Sequence, residues 1–69
     1  MLWEKDGEAF IATVQGAKGE PLFRLAVEQI SNGQWTWTVW HPGDDPALAG
    51  YGFSPTVQEA MRLAEMAAR

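Results

Sequence analysis

The sequence predicts an α+β fold: a three-stranded antiparallel sheet, a β-β-β meander, with a C-terminal helix packed on one face. Three observations lead there. LFRLAVEQI (22–30) and QWTWTVW (34–40) alternate apolar and polar side chains with the period of two that marks half-buried strands. Only the polar run SNG lies between them, short enough for a hairpin. Residues 57–68 carry an apolar stripe at helical spacing.

With 69 residues and no cysteine, the chain has room for one domain, residues 1–69, and no disulfide to staple it. Its stability therefore has to come from large apolar side chains or from a partner that buries surface the single chain leaves open. Four tryptophans suit the first need.

The first strand is read at Ala9–Val14, AFIATV, where β-branched and aromatic residues cluster between DGE and the Gly-rich QGAKGEP. In MLWEK, Trp3 is left without a face: the segment either frays or adds to the sheet. In the second strand Phe23, Leu25 and Val27 point one way and Arg24, Ala26 and Glu28 the other. In the third, Trp35, Trp37 and Val39 share a face opposite Thr36, Thr38 and Trp40.

Register decides the turn between them, because a slip of one residue moves every side chain to the other face. A two-residue Asn32-Gly33 turn would set Val27 opposite Thr38 and Glu28 opposite Trp37, splitting the apolar sets. A loop of Ser31, Asn32 and Gly33, with Gly33 left-handed, instead pairs Ile30 with Gln34, Val27 with Trp37 and Leu25 with Val39. The second arrangement is predicted, with Ile30 and Trp40 left on the opposite side.

HPGDDPALAG reads as a loop from its prolines, glycines and acids, and YGFS as a short extended piece at most. Ser54-Pro55 reads as an N-cap followed by proline at the first helical position. Beyond it Val57, Ala60, Met61, Ala64, Ala67 and Ala68 form the stripe, while Gln58, Glu59, Arg62, Glu65 and Arg69 take the other side. The alanines are short, so this helix can lie close to a sheet whose tryptophans supply the bulk.

Charge narrows the partners. Five basic against nine acidic residues leave a net charge of −4 and a pI near 4.6, which disfavours a nucleic-acid backbone and suits a basic protein partner. The N-terminal MLWEKDGEAF carries acids where a signal peptide has a basic and then an apolar region, and no apolar run approaches membrane-spanning length, so a cytoplasmic protein away from membranes is predicted.

No catalytic, cofactor-binding or metal-ligating residues are assigned. His41 with Asp44 and Asp45 matches no metal signature, and loop acids beside Pro and Gly serve as turn residues. Ser31 and Ser54 lie outside any Gly-x-Ser-x-Gly context, and Gly50-Tyr51-Gly52 lacks the lysine and preceding strand of a phosphate loop. An enzyme is not predicted. Trp35 and Trp37 could form a stacking platform, but a chain this short needs them between sheet and helix as core. Trp40 lies opposite them, either as a contact residue of the open face or folded beneath HPGDDP. The candidate interface residues are Trp40, Ile30 and Tyr51.

WTWTVW, the polar loop after it and GYGFSPTVQEAMRLAEMAAR are similar, over residues 34–69, to a pattern in short uncharacterised proteins of phages and proteobacteria: W-x-W-x-V, a Gly, then a capped helix containing Glu-Ala. More distantly the chain looks like antitoxin subunits related to HicB, where a three-stranded sheet leads into a helix through Gly…Glu-Ala, with HPGDDP as a loose echo of that family's Pro-Asp-x-Pro-Gly segment. The reading that follows is a non-catalytic protein-interaction module, an accessory protein of a phage or mobile element. The alternatives are a small-ligand or nucleic-acid binder stacking its target on Trp40 and Tyr51, or a HicB-like antitoxin domain. A homodimer is expected, through the uncovered sheet face or by edge pairing, with Trp40 near its centre.

Overall fold

In the computed structural model, which describes residues 2–30, 32–43 and 45–69, five strands and one helix follow one another: β1 (Glu4–Asp6), β2 (Ala9–Gln15), β3 (Pro21–Gln29), β4 (Trp35–His41), β5 (Ala47–Ser54) and α1 (Val57–Ala67). The strands make one antiparallel sheet in the order β1-β2-β3-β4-β5, so each lies beside its neighbours in sequence. The α+β class with a C-terminal helix holds; the sheet has five strands, not three.

The predicted register between the two aromatic-rich strands is the one observed, with Val27 opposite Trp37 and Leu25 opposite Val39. The Ile30 N–H donates to the Gln34 carbonyl at 2.8 Å, the Gly33 N–H donates back to Ile30 at 3.1 Å, and Gly33 has φ 77°. Ser31, the first residue of this loop, lies outside the described residues. The same device joins β2 to β3: Gly16 donates to the Glu20 carbonyl at 2.8 Å, Gly19 donates to Gly16 at 3.0 Å, and Gly19 has φ 81°. Two hairpins thus use one loop chemistry, in which a left-handed glycine turns the chain after a three-residue excursion.

The two additional strands carry little strand signal of their own. β1 is Glu-Lys-Asp, exposed throughout, and has no apolar pattern to read. It pairs with β2 because Gly7 and Glu8 make a two-residue turn, Asp6 opposite Ala9, with Gly7 at φ 65° and Glu8 at negative φ. That sign pattern is the type II′ hairpin turn, so DGE was a strand connection and not merely a flank. β5 is ALAGYGFS, read from sequence as loop plus a short extended piece; its small residues and two glycines have low strand propensity.

What makes β5 a strand is its neighbour. Trp37 lies opposite Gly52, and a Cβ at Gly52 would fall 2.8 Å from the Trp37 Nε1 and 2.9 Å from two of its ring carbons. A Cβ at Gly50 would meet the Trp37 ring at 3.3 Å and the Ala67 Cβ at 3.2 Å. The indole therefore occupies the space that side chains on β5 would otherwise fill, and the end of α1 closes over the same strip. Small residues on β5 are a packing requirement that outweighs their propensity.

On this side of the sheet Ala12, Leu25 and Val39 pack against Ala64 and Ala68, with Trp3, Val14, Phe23, Trp37 and Ala67 around them. Leu25, Val27, Val39, Ala60 and Ala64 are fully buried, which places the predicted alanine stripe of α1 against the predicted apolar faces of β3 and β4. Trp3 gains a face here: its Nε1–H donates to the Glu65 Oε2 at 2.8 Å, tying the first residues of the chain to the last helix. A hydrogen bond to a carboxylate is among the stronger kinds, and this one is partly buried.

The helix start differs from the sequence reading. Ser54 is the last residue of β5, 2 % exposed, and the N-cap is Thr56, whose Oγ1 accepts from the Glu59 N–H at 3.2 Å. Thr56-Val-Gln-Glu59 has the spacing of a capping box. The strand runs on to Ser54 because its side chain turns inward with Gly50 and Gly52, so Pro55 precedes the cap instead of opening the helix.

Three outcomes test this account. Gly52→Ala must push against the Trp37 indole and should cost about 2–3 kcal/mol by overpacking, whereas Gly33→Ala meets empty space and should cost only about 1 kcal/mol for its positive φ; urea unfolding of both would show the order. Thr56→Ala should lose about 1 kcal/mol as a cap, while Ser54→Ala, which removes a buried hydroxyl without a partner among the described residues, should be neutral or stabilising; the reverse ranking would return the cap to Ser54. Glu65→Ala should cost about 1–2 kcal/mol and Glu65→Gln less, since the amide still accepts from Trp3; equal losses would mean the bond contributes nothing.

Candidate interaction face

The helix covers one side of the sheet and leaves the other open, and the register states which side chains stand on the open side. Across the strands they form rows: Asp6, Ala9, Glu28, Thr36, Phe53; then Glu4, Ile11, Ala26, Thr38, Tyr51; then Thr13, Arg24, Trp40, Leu48. The face is graded. Carboxylates stand at its β1 side, threonines on β4, and aromatic and aliphatic groups on β5, where Tyr51, Phe53 and Leu48 are 68 %, 62 % and 60 % exposed.

Leu48 reaches this face through an irregularity. The register shifts between Val39 and Trp40, so that Val39 faces Gly50 but Trp40 faces Leu48, and Ala49 is the extra residue of a bulge. Without that insertion Leu48 would point to the helix side. The bulge turns it outward beside Trp40 and extends the aromatic row of β5.

Both edges of the sheet are also defined. The strands 9–14 and 34–40, which would be the edges of a three-stranded meander, are interior, because β1 and β5 pair outside them. β1 is short and wholly charged, two devices that discourage a further strand. β5 is eight residues long, Ala47–Ser54, with neither charge nor proline. It is the edge on which another strand could be added.

Of the three interface residues expected from sequence, Tyr51 and Trp40 stand on this face, Tyr51 exposed and Trp40 half-buried beside Ile11, Thr13 and Arg24 around a small hollow of about 120 Å³. Ile30 does not join them. It lies at the far end of the β3–β4 hairpin, opposite Gln34, roughly 20 Å along the strand from Trp40. There it lines a shallow hollow of about 530 Å³ with Lys5, Glu8, Phe10, Gln29 and Trp35. The Phe10 and Trp35 rings meet in it at a centroid distance of 6.2 Å. Of the two residues the sequence reading missed, Phe53 had a signal, since YGF alternates and the alternation was outweighed by the glycines; Leu48, turned outward only by the bulge, had none.

His41 is held by neighbours of its own. Its ring lies 4.5 Å from that of Phe23, and its Nδ1 is 3.2 Å from the Leu22 carbonyl oxygen, which can only accept, so the proton sits on Nδ1. Asp44, the middle member of the His-Asp-Asp run, lies outside the described residues. Among the described residues no three His, Cys, Asp or Glu side chains gather as metal ligands would, and no helix is long and apolar enough to cross a membrane.

The fold and face describe a small α+β domain, an antiparallel meander with one covered and one open side. No protein-family model matches the chain, and comparison with curated proteins and with solved structures gives no significant match.

Proposed function

We propose that this protein is a non-catalytic protein-interaction module that takes up a protein partner along the β5 edge and the aromatic half of the open face. The observation that carries the reading is β5 itself: an uncharged eight-residue edge strand presenting Leu48, Tyr51 and Phe53 to solvent. Addition of a strand at such an edge draws affinity from main-chain hydrogen bonds and specificity from alternate side chains, here the two rings. Tyr and Phe are also among the residues enriched where proteins meet.

The charge distribution favours protein over nucleic acid as the partner. Glu4, Asp6 and Glu28 on the open face oppose a single Arg24, and the chain as a whole carries −4. A phosphate backbone laid across that face would meet repulsion where binding normally draws on lysine and arginine. A partner with basic residues reaching toward β1 and β3 and an apolar segment against β5 would match the gradient. On the resemblance of residues 34–69, we place the module among cytoplasmic accessory proteins of phages or mobile elements.

Photo-crosslinking tests the reading. With p-benzoylphenylalanine in place of Tyr51 or Phe53, irradiated cells should yield a discrete protein adduct, whereas the same group at Gln58, exposed on α1, should not. Adducts to nucleic acid at 51 and 53, or the same protein captured equally from position 58, would overturn it.

A further inference from the structure

The residues of β5 are arranged so that the strand complements itself. We propose that the partner on the β5 edge is a second copy of this chain, paired antiparallel about a twofold axis at Gly52, so that the two sheets continue into one. This rests on the reading of β5 as the interaction edge and names the occupant of that edge; the second copy supplies no basic groups opposite β1 and β3, and that half of the open face stays free.

Facing residues of an antiparallel pair lie on the same side of the sheet. With Gly52 on the axis, Tyr51 faces Phe53 of the second copy and Phe53 faces Tyr51 of the second copy. Four rings then stand together on the open side, in aromatic cross-strand pairs of the kind that stabilise sheets. On the helix side Gly52 faces its own equivalent and Gly50 faces Ser54, so neither β5 sets a large side chain of its own at the pairing, and the Trp37 indole of each copy lies over its own strand. The neighbouring registers are worse. With the axis at Gly52 the paired run is Gly50–Ser54, and Ala49 and Pro55 face each other just outside it; an axis at Tyr51 brings the bulged Ala49 against Phe53 within the run, and an axis at Phe53 sets Tyr51 against Pro55, which has no N–H to donate. An axis between residues pairs open-side with helix-side positions.

Net charge does not prevent the seam. β5 carries no charge; on the open face Arg24 and Glu28 of β3 stand two strands away, roughly 10 Å at the usual strand spacing, and Glu4 and Asp6 four strands away, roughly 19 Å, against a screening length of ~8 Å at physiological salt. Surface area points the same way: the chain exposes 4760 Å², where a compact monomer of its mass would expose about 4300 Å². Trp40, expected from sequence at the centre of a dimer, would lie one strand in from this seam, behind Leu48.

The test combines mass, exchange and register on the purified chain. Sedimentation from ~1 to ~100 µM should show dimer increasing with concentration, and those amides of residues 50–54 that point away from β4 should be protected in the dimer and exchange on dilution. Phe53→Lys should raise the dissociation constant at least tenfold while far-UV circular dichroism is unchanged; Gln58→Lys should not alter it. When Tyr51→Cys and Phe53→Cys chains are mixed and oxidised, the mixed disulfide should exceed either symmetric one, because only position 51 faces position 53. A monomer at ~100 µM with freely exchanging β5 amides would overturn the second copy as occupant, leaving the crosslinking result to decide whether β5 binds another protein. A dimer whose β5 amides exchange freely, or whose symmetric disulfides dominate, would overturn the seam and its register respectively.

Discussion

The indole of Trp37 lying against the backbone of β5 is the contact on which the rest of the structure depends. A large flat side chain on β4 can sit between sheet and helix only if the adjacent strand has no side chains in its way, and Gly50 and Gly52 meet that condition. Once the ring is down, the end of α1 can approach so closely that a Cβ at Gly50 would lie 3.2 Å from that of Ala67. Without cysteine and with few large residues fully enclosed, the fold obtains its dry volume from this layered arrangement: small residues of the helix, indole, bare strand. The cost is visible in the Trp37 Nε1, which is buried without a hydrogen-bond partner among the described residues.

That packing also produces the asymmetry of the two edges. Because β5 must be small toward the helix, its open-side positions are the ones free to vary, and they are filled by Leu48, Tyr51 and Phe53 instead of by charges. β1 has no such constraint. It is three charged residues long, anchored at one end by the Gly7–Glu8 turn and at the other by the bond from Trp3 to Glu65. One edge is therefore closed by charge and brevity while the other remains a template for pairing. The proposed function follows from the packing of the core as much as from the surface.

The candidate face was partly legible. Tyr51 and Trp40 were found because alternation across WTWTVW and the aromatic in YGF place them away from the core. Ile30 was assigned to the same side by strand parity, yet it stands at the remote end of a hairpin, where parity no longer describes position. Leu48 could not have been assigned to the face at all, since only the bulge at Ala49 sends it there, and a bulge depends on what the neighbouring strand needs. Ser54 was mistaken for a cap because Ser-Pro is a good helix entry locally; Thr56 has the better one, three residues before Glu59.

The sequence by itself determined the elements whose side chains carry a strong period. The two central strands, their three-residue loop, the pairing of Val27 with Trp37 and the alanine-faced helix all follow from alternation, helical spacing and one glycine in left-handed space. The tertiary structure alone decided the outer strands. β1 has no apolar residue to reveal it and exists because a turn returns it to β2. β5 has the composition of a loop, and is a strand because Trp37 needs a neighbour without side chains. Local propensity amounts to a few tenths of a kcal/mol per residue, and burial of one indole is worth several times that, so the ring determined the strand.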